Sequence, residues 1–433
     1  MKTIRLPYGT TGLDVRVPDS AVVVDPVDPP ALTDEAAAVT RALVYPASGK
    51  SLEHLIDDAG PGAKIVVVFP DLTRPMPNRT VLPPILRELE SLGAGPDRVE
   101  LLCATGTHRR ATPDEMSALI GSDLFSRYPV HDHSCTDDEH VEVGLVDGTP
   151  VRIDRKYVDA DVRILTGFVE PHFFAGFSGG PKGVCPGLAD LDTVLEAHSR
   201  KRIRDPRATW TVLGGNPVHE FVAAATSLAP PDLSVDVTID SERRLTGIFC
   251  GPLPDAHRAA CASVVATSVT ALDGAFDVVV TTNGGYPLDR NLYQAVKGMA
   301  AAERVVTDGG TILIAAECRD GLPGGGAFEE LLGRAEDVAD LVSGGMDTGE
   351  GPADPDGWQT QVLGRVLQKA DVLLLSDGLS DDDVRLAQLS PVHDLSDAVS
   401  HAISHGGAGS RVCVLVRGPL AVATVIRQHS NGA

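Results

Sequence analysis

Between residues 64 and 166 the chain repeats one arrangement: a short unbroken apolar run, a polar loop, then apolar residues at helical spacing. KIVVVF (64–69), RVELLCA (98–104) and DVRILT (161–166) are the apolar runs, and their β-branched content predicts strands buried on both faces. PDLTRPMPNR and an amphipathic VLPPILRELESLG follow the first run. TGTHRRAT follows the second, and Thr112, Pro113 and Glu115 then mark the start of a capped helix. This alternation predicts a parallel α/β sheet. Ahead of it, residues 2–17 read as a β-hairpin with a glycine turn, and a short helix is expected over 34–44.

A second, smaller series starts with FDVVVTT (276–282), the loop NGGYPLD and the helical RNLYQAVKGMAAAER. TILIAAE (311–317), WQTQVLGRVLQKA and DVLLLS (371–376) continue it as strand, helix and strand, and the glycine-rich stretches near 320–326 and 344–357 read as loops. Residues 253–272 read as one helix joining the halves, part of a hinge. RVCVLV (411–416) is a last strand, expected to return to the first domain. The prediction is two domains with Rossmann-like parallel sheets, 1–270 plus a returning 408–433 and then 275–400, with the active site in the crevice between them.

Length agrees, since 433 residues exceed what one core usually supports. Apolar residues at 43% and charged residues at 22% are ordinary for a soluble globular protein. The net charge of −23 argues against nucleic acid or an anionic membrane as partner, because phosphate binding needs excess Lys and Arg. The seven cysteines are odd in number and scattered, with no CxxC pair, so reduced thiols are expected. No apolar run reaches spanning length and the N-terminus has no signal-like core, which reads as cytoplasmic.

The candidate chemistry lies where the strands end. Ligands of open α/β sheets bind outside the carboxyl ends of the strands, a rule that brings Asp71, Arg74, His108, His172 and Lys182 toward one edge. DLTRP (71–75) suits carboxylate recognition by Arg74, or a loop salt bridge with Asp71. His108 in TGTHRR suits capping and packing as well as catalysis. The stretch 167–199 is the densest, with His172 before Phe173 and Phe174, a glycine-rich loop around Lys182, and His198. At least one of the two phenylalanines is expected in the core. Neither GxxxxGK[ST] nor GxGxxG is present, but the amides of Ser178, Gly179 and Gly180 are candidates for a phosphate cradle. His219 lacks the second histidine of a zinc motif and reads as structural. HDHSC (131–135) has metal-binding residues, yet reads as an acidic surface loop. Tyr293, Gln294 and Lys297 share one helix turn, with Tyr293 and Lys297 on one face; a solvated helix has the same pattern.

Taken together, DLTRP, ATGTHR, EPHFFAGFSGGPKGVCPG, the histidine of EAHS, GNPVHE, GGYPLDRNLYQAVKG and WQTQVLGRVLQKA resemble the lactate racemase family of α-hydroxyacid racemases and epimerases. The resemblance spans about residues 60–375. It implies a cofactor, the nickel-pincer nucleotide, a pyridinium-3-thioamide-5-thiocarboxylic acid mononucleotide that holds Ni(II). By the family pattern, Lys182 is the covalent tether in the N-terminal domain, with Ser178, Gly179 and Gly180 around it, and His198 is the nickel ligand. His108 and His172 match the acid/base histidines. Asp71, Arg74, Tyr293, Gln294, Lys297 and Trp358 match the substrate side, with Asp71 expected to orient Arg74 or a histidine. The chain has Pro181 where many members carry Arg.

The implied reaction removes hydride next to the hydroxyl, with a 2-keto acid as intermediate and one histidine for each face. The implied partners are a small α-hydroxy acid and the proteins that make the cofactor. Three alternatives stay open from the residues alone. One is the same chemistry on a longer aliphatic, aromatic or sugar-derived acid, and another is a cofactor-free binding or sensor homologue. The third is a zinc enzyme using His172 and His198.

Overall fold

The computed structural model describes residues 1–426 except 27, 138, 324–326, 344–353 and 408. Residues 344–353 of the predicted 344–357 loop, residues 324–326 of the predicted 320–326 loop and the end of the predicted returning segment therefore lie outside the described residues. Two compact units form. The first comprises Asp28–Ala197 and Asp205–Thr267; the second comprises Met1–Val27, His198–Arg204 and Ser268–Ala433.

The first unit is built on a six-stranded sheet in the order Leu245–Gly251, Leu233–Ile239, Val162–Phe168, Ile65–Pro70, Val99–Ala104, Val130–Asp132. All neighbours are parallel except the first pair, which was not anticipated and extends the sheet by an antiparallel edge. Ile65–Pro70 shows why an unbroken apolar run marks a central strand. Ile65, Val67 and Phe69 enter one core with Val39, Leu82 and Ile85, while Val66 and Val68 enter the other with Tyr157, Val184 and Phe221. Both faces are covered, so alternation would leave a polar residue buried. Helix Pro113–Ile120 starts as predicted, with Thr112 and Glu115 in a capping box.

The second unit carries a wholly parallel sheet in the order Ser390–Pro391, Ala370–Leu375, Val306–Ala315, Phe276–Thr282, Val412–Leu415, Val22–Val24. This corrects the expected division of the chain. Val412–Leu415 does not return to the first domain; it pairs with Phe276–Thr282 on one side and Val22–Val24 on the other. The N-terminal hairpin, Lys2–Leu6 with Leu13–Val17, packs into the same core through Leu6, Val15 and Val17. A fully buried strand needs hydrogen-bonding neighbours and two covered faces, and sequence order does not say which sheet provides them. The predicted joining helix is also shorter. Asp255–Ser268 is helical, but Val269–Asp273 is a strand paired with Val422–Ile426. The β-branched Val269 and Thr270 favour that outcome.

HDHSC is not a surface loop. Val130–Asp132 is the sheet's edge strand, and the His133 side chain is buried, with Nδ1 3.1 Å from Asp154 and Nε2 3.1 Å from the Ala189 carbonyl. His131 Nε2 pairs with Glu100 at 3.1 Å. Among the described residues no helix is long and apolar enough to cross a membrane.

Candidate active site

The Ile65–Pro70 strand runs into a turn in which the Arg74 amide donates to the Asp71 carbonyl at 3.2 Å. The turn places Asp71 inside, at 5% exposure. Its Oδ2 lies 2.9 Å from His108 Nδ1, and its Oδ1 accepts the Thr73 hydroxyl at 2.8 Å. Burial by itself would raise the Asp71 carboxyl. The His108 hydrogen bond and charge, the Arg74 charge and the Thr73 hydroxyl outweigh it and hold the group below its ordinary value. An ionised carboxylate has no hydrogen to give, so His108 Nδ1 carries one and Nε2 keeps its lone pair. The hydrogen-bond partners of Asp71 are thus His108 and Thr73, which places its carboxylate to orient the His108 ring. Its oxygens are taken by His108 and Thr73, and Arg74 acts on it only as a nearby charge.

The loop that carries His108 is tied at both ends by Asp132, which the sequence singled out only as part of HDHSC. Asp132 accepts the Thr105 hydroxyl at one oxygen and the Ala111 amide, at 2.7 Å, at the other. Asp132 belongs to HDHSC, so that motif braces the His108 loop.

His172 sits in a short antiparallel pair, Pro171–His172 with Gly176–Phe177. Gly176 has φ +81°, and a Cβ there would lie 2.2 Å from the Val212 carbonyl oxygen. The tight return places the Ala175 and Phe174 amides 3.2 and 3.5 Å from His172 Nδ1. Both are donors, so Nδ1 accepts and the ring hydrogen sits on Nε2, the tautomer opposite to that of His108. Phe173 stacks on the imidazole at 4.7 Å and Phe174 meets it edge-on at 4.5 Å; both are buried.

Lys182 lies in a single helical turn, Gly180–Gly183, with Nζ 5.6 Å from the centre of the Phe174 ring. Two of the three amides of the predicted phosphate cradle beside it are engaged within the protein. The Ser178 amide donates to the Glu170 carbonyl, its hydroxyl donates to the Phe168 carbonyl, and the Gly180 amide donates to Asp236. A loop that must satisfy its own buried backbone cannot offer the same hydrogens to a phosphate.

In the second unit, helix Leu292–Glu303 is capped by Asn291, whose side chain accepts the Gln294 amide at 3.0 Å. Lys297 Nζ donates to Gln294 Oε1 at 2.7 Å, one turn away. The Tyr293 hydroxyl accepts the Trp358 indole N–H at 2.9 Å, and Gln359 donates to the Tyr293 carbonyl. Trp358 in turn packs on the His198 ring at 4.8 Å. His198 is 7% exposed and begins the segment that the second unit draws from the middle of the chain. Among the described residues no group of three or more His, Cys, Asp or Glu side chains is placed to hold a metal ion. The zinc alternative finds no third such ligand there.

Two family models match the chain, the lactate racemase N-terminal domain over residues 8–211 and the lactate racemase C-terminal domain over residues 272–424. The lactate racemase of Thermoanaerobacterium thermosaccharolyticum is 35% identical over 99% of this chain and 100% of its own length. The chain belongs to the lactate racemase family. A second family member, the lactate racemase of Lactiplantibacillus plantarum, is 34% identical over 96% of this chain and 99% of its own. The solved lactate racemase apoprotein from T. thermosaccharolyticum superposes with a TM-score of 0.89 at 34% identity, covering 98% of this chain and 100% of that one. A Thermotoga maritima protein shares the fold at 19% identity with a TM-score of 0.67, over 93% of this chain and 100% of its own. Racemases are isomerases, and this chain is an enzyme of that class acting on 2-hydroxy acids.

Proposed function

We propose that the enzyme racemises lactate, or an α-hydroxy acid of similar size, with the nickel-pincer nucleotide tethered to Lys182 and its nickel bound by His198. The observation that carries this reading is the pair of histidines in opposite tautomers, both in the unit that also carries Lys182. The full-length relatives, both named lactate racemase, support the substrate. The residues fit the cofactor in two respects and miss in one. Lys182 offers an amine for a thioamide link, and the imidazole of His198 suits a metal whose other ligands come from a pincer. The amides of Ser178 and Gly180 are not available to its phosphate.

When bound, the nucleotide supplies a hydride acceptor and donor, which avoids deprotonating the weakly acidic C–H bond beside the carboxylate. His108, with the Nε2 lone pair exposed by its bond to Asp71, accepts the hydroxyl proton of one enantiomer. His172 points Nε2–H at the substrate oxygen and, after taking up a second proton from solvent, can return one as imidazolium when the keto acid is reduced on its other face. His108 gains one proton and His172 loses one, ending neutral, so the reaction balances and exchange with solvent resets both rings. Arg74 suits bidentate recognition of the substrate carboxylate. Lys297, oriented by Gln294, adds a point charge.

Intact-mass and nickel analysis tests this on protein made together with the family's cofactor-synthesis proteins. The expected result is added mass on Lys182 with about one nickel per chain. Unmodified Lys182 without nickel in that preparation overturns the cofactor assignment.

A further inference from the structure

The loop that carries Lys182 rests on three buried side chains from three different elements. Asp236, on strand Leu233–Ile239, has no exposed surface and accepts the Gly180 amide at 2.9 Å. His257, on helix Asp255–Ser268, is 2% exposed and its Nε2 lies 2.9 Å from the Ser178 carbonyl oxygen. A carbonyl only accepts, so Nε2 carries the hydrogen. Thr226, on helix Pro217–Leu228, donates its hydroxyl to the Pro181 carbonyl at 2.9 Å. The backbone on the N-terminal side of Lys182 is thus anchored at residues 178, 180 and 181.

The fit leaves no room for side chains. A Cβ on Gly180 would lie 2.4 Å from the His257 ring, and one on Gly179 would lie 2.9 Å from Asp236 Oδ1. Gly179 and Gly180 have positive φ, +72° and +52° respectively, which a substituent would strain as well. Pro181 belongs to the same device. As the second residue of the Gly180–Gly183 turn, proline fixes its own φ and needs no partner for an amide hydrogen, while its carbonyl still reaches Thr226.

A fully buried carboxylate is a costly way to bind one amide. Burial raises the Asp236 carboxyl, and the charge of His257, the Gly180 amide and the Ser234 hydroxyl oppose that. Nothing in the acid/base chemistry above uses Asp236 or His257. We propose that Asp236 and His257 are positioning residues for the tether, holding residues 178–181 in the conformation that presents Lys182 for covalent attachment. This rests on the reading of Lys182 as the tether.

The test measures Lys182 directly. In the unloaded protein, acetylation by an N-hydroxysuccinimide ester is followed by peptide mass spectrometry, with the exposed Lys64 as internal reference. Asp236→Ala and His257→Ala are expected to change the Lys182-to-Lys64 labelling ratio about fivefold, the scale of one lost hydrogen bond. In protein made with the cofactor-synthesis proteins, the same variants are expected to carry about tenfold less adduct. Asp236→Asn, whose amide oxygen still accepts from Gly180, is expected to restore both readings to within about twofold of wild type. If Asp236→Ala does not fold, Thr226→Val removes only the Pro181 anchor and is expected to shift the ratio about threefold. An unchanged labelling ratio in the variants that fold overturns the proposal. Wild-type protein lacking adduct would refute the proposed function instead, and the ratio would still decide the clamp.

Discussion

The two units hold their functional side chains in different ways. In the first unit, His108 and His172 are wired through ring nitrogens to a buried carboxylate and to backbone amides, and buried Asp236 supports the lysine loop from beneath. In the second unit, Tyr293, Gln294, Lys297 and Trp358 hold one another across and along two helices, Leu292–Glu303 and Gly357–Lys369. The difference matches the tasks proposed for them. A proton-transfer group must have a defined tautomer, and only a partner that is solely donor or solely acceptor imposes one. A residue that supplies charge or shape needs reach and rigidity, which helix packing provides.

If that contrast is right, substitutions in the first unit cost most. His108→Ala and His172→Ala should each lower kcat by about 10³-fold or more while adduct on Lys182 persists, since each removes a proton-transfer group and leaves the tether intact. Steady-state rates with either enantiomer, beside intact mass, check this. Retained activity in either variant breaks the two-histidine scheme.

Next comes the wiring itself. Asp71→Asn should lower kcat by about 10²-fold, because an amide can present N–H to His108 Nδ1 and favour the wrong tautomer. Asp71→Asn should leave KM within about threefold. A rise in KM with unchanged kcat would return Asp71 to the substrate-binding role.

Tyr293→Phe should matter less, because it removes a packing partner and not a proton. The Trp358 indole would lose its acceptor, at a cost of about 1 kcal/mol in stability, and kcat/KM should fall about fivefold. Denaturant melts and kinetics read the two effects separately.

The smallest effect concerns His219, which burial first, and then the charges of His257, Lys182 and Arg258, push down to about 4. In the unfolded chain it titrates near its ordinary value of 6.5. Between those values the unfolded chain takes up a proton that the folded one refuses, so stability falls as pH drops through that window. Partial exposure reduces the effect, and the His219 contribution between pH 6.5 and 5 should be about 1–2 kcal/mol. Denaturation of wild type and His219→Gln at those two pH values measures it. Equal slopes would remove His219 from the group around the lysine loop.

Much of this was legible without coordinates. Unbroken apolar runs located the central strands, and the Thr112–Glu115 capping box located a helix start. The rule of strand ends led to Asp71, His108, His172 and Lys182. HDHSC was misread for a physical reason. His, Asp and Ser are polar by composition, but His133 is buried because Asp154 and the Ala189 carbonyl satisfy both its nitrogens, and neither is near it in sequence. Asp236 and His257 had no signal either. A lone Asp in an apolar strand and a lone His in a helix become informative only when the loop they support is packed on them.

By itself, the sequence determined the central strands and most of the helices between them, the α/β class and the family, and it named the candidate residues. All of these depend on patterns within a few turns or on motifs in fixed order. Tertiary structure alone decided that Val412–Leu415 and the N-terminal hairpin join the second unit, and that Asp71 serves His108. It also decided the two ring tautomers and the spending of the Ser178 and Gly180 amides on the protein's own groups. Each of these is a choice of hydrogen-bond partner across a long stretch of chain. Such a choice is set by which buried groups would otherwise go unsatisfied once the sheets are assembled.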